Sequence, residues 1–216
     1  MNSLDIAGQK VALGFSGGPD AAALAYRLKH LGAEVVPVYV NYRQVPRGGK
    51  TAKDLRSAIP CAQSLGIPTP LELRVPLGQR PKSQRNRFFV KVLASVAQKE
   101  GGHIVALGTV KKDASTNEPL GRATINDLNP DILSRYGEKH SVQVLTWDSF
   151  GVREKAEEFA GISPEAREFL FQTTSCQMWW RLECGNCHSC KERHAAFLHA
   201  FGFDRTLYRP NSKITR

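Results

Sequence analysis

The sequence predicts an α/β fold: a mostly parallel sheet wound on both faces by helices, ending in a cysteine-rich segment. Two observations predict the sheet. Short apolar runs alternate with stretches of helical composition, and such alternation implies βαβ units. Several of the apolar runs end at glycine or polar residues, where ligands of parallel sheets bind. A third observation predicts the appendage: four of the chain's five cysteines lie between Cys176 and Cys190.

The elements follow in order. Val11–Phe15 is an apolar run that meets Ser16-Gly17-Gly18, a buried strand running into a glycine turn. Asp20–Leu31 has helical composition and stops at Gly32,. Glu34–Val40 is a second strand, and Pro37 within it predicts an edge or a strand start,. Thr51–Leu65 is a helix closed by Gly66, with Pro60 as a kink or break,. Pro70–Val75 is a third strand. Asn86–Lys99 is a helix with Phe89, Val90, Leu93, Val96 and Ala97 on one face, stopped by Gly101-Gly102,. His103–Leu107 and Val142–Leu145 are further strands. Glu154–Phe159, Pro164–Leu170 and Lys191–Phe201 are the remaining helices. Residues 1–170 are expected to form the α/β domain and 171–216 a metal-binding segment packed on it.

Composition narrows the class. Of the 216 residues, 41% are hydrophobic, which suffices for one cored domain,. No apolar run approaches the roughly 18 residues that span a bilayer, and the first residues lack a signal-peptide layout. A cytoplasmic protein without a membrane partner is expected. The formal net charge of +10 fits either a solvated basic surface or a polyanionic partner: a nucleotide, an RNA or an acidic protein,. Tyr42–Lys53 and Gly78–Arg87 are basic and loop-like in composition.

Ser16-Gly17-Gly18-Pro19-Asp20 sits between a predicted strand and a predicted helix. The glycines allow a tight turn and bring N–H groups close to an anion. The helix N-terminus adds free donors and a favourable dipole. Ser16 can donate to a phosphate oxygen, and Asp20 can hold magnesium. The motif is neither a Walker A loop nor a dinucleotide fingerprint. Cys176, Cys184, Cys187 and Cys190 are spaced C-x7-C-x2-C-x2-C. Four thiolates suit a closed, structural tetrahedral zinc; an iron–sulfur cluster is the rival. Cys61 stands alone and reads as a core residue.

The Ser-Gly-Gly-x-Asp turn resembles the loop of PP-loop ATP pyrophosphatases, of the adenine nucleotide alpha-hydrolase-like fold. That family has a hydroxyl residue where this chain has Ala21. Together with Cys184-Gly185-Asn186-Cys187-His188-Ser189-Cys190, Arg193, Ala196-Phe197, Gly202 and Asp204, the chain resembles the 7-cyano-7-deazaguanine synthases. Arg85-Asn86 before Phe89, Lys155-Ala156-Glu157, and Tyr42 with Gln44 extend the resemblance along nearly the whole chain. It implies that ATP is split to AMP and pyrophosphate, with magnesium, to adenylate 7-carboxy-7-deazaguanine, which ammonia converts to an amide and then a nitrile. Ser16, Gly17, Gly18 and Asp20 would bind ATP; Asp20, Arg85 and Asp113 would serve catalysis, Arg85 and Asp113 toward phosphate or substrate. A homodimer is also implied, although no interface is legible.

The chain departs from that family where the substrate should be read. Asp113 and Ser115 stand in place, but Thr116-Asn117-Glu118-Pro119 replace a Gly-Tyr-Pro-Asp stretch. A diverged branch could join the activated carboxylate to an amine on a partner molecule. Two other classes stay open: a tRNA-modifying PP-loop enzyme, marked by salt-sensitive RNA binding, and a non-catalytic nucleotide-binding module. Lys111 and Lys112 read as solvated.

Overall fold

The structure, a computed structural model, describes residues 5–42, 48–75, 85–109, 130–176 and 182–214. Among the described residues, five strands form one sheet: β1 Lys10–Gly14, β2 Glu34–Tyr42, β3 Leu71–Val75, β4 Ile104–Ala106 and β5 Gln143–Leu145. Their order is β3-β2-β1-β4-β5, and every pairing among them is parallel. The helices are α1 Pro19–His30, α2 Gly48–Leu65, α3 Arg85–Lys99, α4 Pro130–Glu138, α5 Lys155–Ala160, α6 Glu168–Phe171 and α7 His188–Phe201. Short 3-10 turns lie at Trp147–Phe150 and Pro164–Ala166.

Strand periodicity divides the core into two layers. Val11, Leu13 and Phe15 join Ile104, Ala106 and Leu145 on one face, packed on α1, α2, α6 and α7. Ala12, Val105, Leu107 and Val144 point to the other face, against Val90, Leu93 and Ala97 of α3 and Leu133 of α4. Alternation with a period of two therefore gives each strand a buried residue on both sides, as expected of a doubly wound sheet. The chain runs outward from β1 through β2 to β3, then returns across to β4. The reversal lies between β1 and β4, which opens a crevice beyond their carboxyl ends.

Three expectations are corrected. β2 is interior, between β3 and β1, despite Pro37. The Phe15 N–H donates to the Val38 carbonyl at 2.8 Å, so the alternate residue Pro37 faces the β3 side. Pairing with β3 begins only at Val38 and Leu71, so the missing N–H of Pro37 costs no ladder bond,. α2 begins at Gly48, inside the segment read as a loop; glycine is tolerated in an opening turn as it is not in the middle of a helix,. It also runs unbroken through Pro60, and both Pro60 and Arg56, whose carbonyl lies one turn back, are exposed,. α4 was not anticipated at all. Cys61 is a fully buried core residue of α2, as expected.

Candidate active site and metal centre

The Ser16–Gly18 loop joins β1 to α1 at the crevice. Gly17 has φ +75°, the left-handed region that glycine adopts without strain,. A side chain there would also meet the Ser57 hydroxyl at 2.5 Å and the Asp54 carbonyl at 2.6 Å. Gly18 caps α1, with Pro19 at the first helical position. Proline has no N–H to leave unpaired, and the amides of Asp20 and Ala21 then lack intrahelical partners, an arrangement suited to an anion. Gly108, at the end of β4, lets the two strands close on this loop: a Cβ there would sit 2.9 Å from the Asp20 carbonyl carbon.

The loop forms the floor of a cavity of about 360 Å³, within the range of small-molecule sites,. Tyr39 and Val40 of β2, Asn86 and Phe89 of α3, and Thr109 line its walls, and Ser175, Ser189 and Glu192 close it from the C-terminal segment. The Thr109 hydroxyl is buried without a hydrogen-bond partner among the described residues.

Lys155 enters this cavity from α5. Its Nζ lies 3.3 Å from Asp20 Oδ2 and 3.5 Å from Glu192 Oε2. His188 Nε2 lies 3.2 Å from Glu192 Oε1. The placement of Lys155 is local in origin: Glu154 and Glu157 form a reciprocal capping box, which fixes the first turn of α5 and the direction of Lys155,. Sequence reasoning noted Lys155 in a short resemblance but assigned it no role. The signal was available, since the capping acid two residues later shows that this lysine opens a helix.

Ser16, Gly18 and Asp20 all line the cavity, and Gly17 shapes the turn between them. Ala21 lines it too, where a hydroxyl was expected. Arg85 is the first residue of α3, next to cavity-lining Asn86; its side chain lies outside the described residues. Asp113, Lys111 and Lys112 lie outside them as well.

The four cysteines come together on the far side of the Ser175–Ser189 wall. Their sulfurs all lie within 4.8 Å of one another. Cys184 Sγ accepts the Asn186 and Cys187 N–H groups at 3.4 and 3.3 Å. Gly185, at φ +68°, makes that turn. Cys176 Sγ accepts the Cys184 N–H at 3.4 Å. Cys190 lies in the first turn of α7. The neighbouring Cys176 thiol, then burial, push the Cys190 thiol far above its ordinary range, and a cation held by the four sulfurs would supply the countercharge that reverses this. The residues fit such an ion. Tetrahedral coordination at about 2.3 Å places sulfurs about 3.8 Å apart, and Cys184 and Cys190 are separated by 3.9 Å.

Two buried charges tie the centre to the cavity. Arg193, almost fully buried, donates to the Thr206 and Thr173 hydroxyls at 2.8 and 2.7 Å and to the Leu170 carbonyl at 3.0 Å. Burial lowers its pKa, opposed by the Glu183 and Asp204 carboxylates. Asp204 accepts from Tyr208 at 2.7 Å and contacts His194 Nδ1 at 2.9 Å. Burial pushes its carboxyl up, but hydrogen bonds from Thr206, Tyr208 and His194 outweigh this and hold it below the ordinary range.

The class is therefore a doubly wound α/β protein with a glycine turn at its switch point and a four-cysteine cluster able to hold a metal on one wall. The chain belongs to the family of queuosine biosynthesis protein QueC, whose model matches residues 74–201, from β3 through α7. A 7-cyano-7-deazaguanine synthase of Nautilia profundicola is 26% identical over 222 residues, covering 93% of this chain and 99% of its own. One from Aliarcobacter butzleri is 27% identical over 220 residues, covering 90% and 93%. Among solved structures, the U34-tRNA thiolase NcsA from Methanococcus maripaludis, with its 4Fe–4S cluster, aligns with TM-score 0.45 and 17% identity over 67% of this chain and 53% of its own.

Proposed function

We propose that this chain is an ATP-dependent carbon–nitrogen ligase that adenylates a carboxylate, 7-carboxy-7-deazaguanine in the simplest case. The carboxylate oxygen attacks the α-phosphorus of ATP and pyrophosphate leaves. Ammonia displaces AMP to give the amide, and a second activation with loss of AMP gives the nitrile. The observation that carries this reading is Lys155 beside Asp20 at the mouth of the glycine turn, in a chain of the QueC family. The turn and the N-terminus of α1 receive the phosphates, and Lys155 offsets their charge in a partly enclosed site, where such a contact is strong. Magnesium held by Asp20 would neutralise the departing pyrophosphate. Arg85 and Asp113 are proposed to serve phosphate and substrate. The four cysteines are proposed to hold zinc. Their spacing favours one ion, since a cubane cluster spreads its thiolates over separate irons.

A second reading rests on the segment after Gly108, which lacks the substrate-reading stretch of the resembled family. There the same acyl adenylate is transferred to an amine on a partner molecule, an acidic protein or an RNA, in a cytoplasmic setting. A product assay separates the two. Zinc-loaded protein is incubated with ATP, magnesium, 7-carboxy-7-deazaguanine and ammonium, and AMP and deazaguanine masses are followed by mass spectrometry. Substrate-dependent AMP with amide or nitrile is expected. AMP without either product moves the conclusion to the second reading, and no AMP overturns both.

A further inference from the structure

Residues 173–176 form a strap between the metal centre and the phosphate turn. On one side, the Thr174 N–H donates to the Gly17 carbonyl at 2.9 Å. On the other, while Arg193 donates to the Thr173 hydroxyl at 2.7 Å, residues 174–176 are held by the buried carboxylate of Glu183. The Thr174 hydroxyl donates to its Oε1 at 2.5 Å, and the Cys176 and Ser175 N–H groups donate to its Oε2 at 2.7 and 3.4 Å. The backbone of Glu183 is fixed in turn: its N–H donates to the Leu207 carbonyl at 3.2 Å, and its carbonyl accepts from Arg209 at 2.9 Å. Its Oε2 also lies 3.5 Å from Cys190 Sγ.

A residue that only completed the surroundings of the cysteines would need the Cys176 and Ser175 amides and nothing more. The Thr174 contact reaches the other way, toward Gly17. Thr174 is itself buried, so water cannot substitute for a lost partner,. We infer that Glu183 is a positioning residue that couples the four-cysteine centre to the phosphate turn, so that metal occupancy sets the order of residues 16–20. For nucleotide affinity the inference rests on the proposed function; for loop order it does not.

The experiment compares wild type, Thr174→Val, Glu183→Ala and Glu183→Gln, each with zinc content measured. Amide hydrogen exchange is followed in peptides covering residues 15–25 and 170–176, and ATP affinity is measured by calorimetry. Chelating the metal from wild type should strip protection from the 170–176 peptide and speed exchange in the 15–25 peptide at least about tenfold. Thr174→Val should keep its full zinc and still exchange about tenfold faster than wild type in the 15–25 peptide, with ATP bound about tenfold more weakly. Glu183→Gln retains an acceptor for the Cys176 amide and a donor for the Thr174 oxygen, and should stay near wild type. A zinc-loaded Thr174→Val with wild-type exchange overturns the inference, whatever Glu183→Ala does to folding. If wild type binds no ATP, the proposed function fails, and the exchange comparison still decides the role of Glu183.

Discussion

The phosphate turn and the cysteine centre sit on opposite sides of one wall and are built by opposite means. The cysteine centre is local: its ligands span Cys176 to Cys190, and its sulfurs are served by amides of the same segment. Four thiolates around one ion would leave no open position. The phosphate site is dispersed. Its floor comes from the β1–α1 turn, its lysine from α5, and part of its wall from the C-terminal segment. It is open, and the phosphate binding proposed for it rests largely on main-chain donors. A compact site shows itself in spacing, because neighbouring residues already share a location. A dispersed site exists only once the topology has gathered it.

Removing the metal should break the comparison most severely. If the centre is closed and structural, chelation or Cys187→Ser should melt the C-terminal segment, a loss on the order of 10 kcal/mol in local folding; calorimetry with zinc analysis would show it. Next comes Asp20→Ala, expected to lower AMP formation about a thousandfold while zinc content is unchanged. A variant that loses zinc in parallel would mean that the two sites are not separable in this way. Asp204→Asn should cost about 2 kcal/mol at neutral pH by weakening buried hydrogen bonds, read from urea melts. Because the folded carboxyl is held low, its contribution is complete above its unfolded pKa of about 3.9 and is lost as pH falls through the folded value,. The gap between wild type and variant should therefore narrow in acid. The smallest change is Ala21→Ser, which restores a hydroxyl beside the turn and should tighten ATP by about 1 kcal/mol, roughly fivefold.

The same contrast governs what could be read in the sequence. Ser16, Gly17, Gly18, Asp20 and the four cysteines carried their positions in local spacing, and the structure brings each group together. Lys155 could not be paired with Asp20 from sequence, because 135 positions separate them and only the packing of α5 near α1 joins them. Glu183 was not singled out, since its partners become visible only when the strap folds against it. Pro37 misled because the position of a strand in the sheet depends on where its neighbour begins, not on its own residues. α4 had start signals in Pro130 and Asp131, but Gly137 broke its helical pattern,. That glycine has a tertiary reason: a Cβ there would meet the Val142 carbonyl at 2.8 Å.

Cys61 takes no part in either site, and its isolation has a practical consequence. Burial pushes its thiol up to about 12, with Arg193 opposing, so it presents almost no thiolate near neutrality. With an ion bound, the other four sulfurs would be blocked from alkylation until it is removed. A thiol-alkylating reagent thus meets two populations separated in time: four that respond to chelator, and one that responds to the opening of the core. Counting labelled sulfurs in a single mass spectrum would clock the release of the metal and the collapse of the fold as separate events.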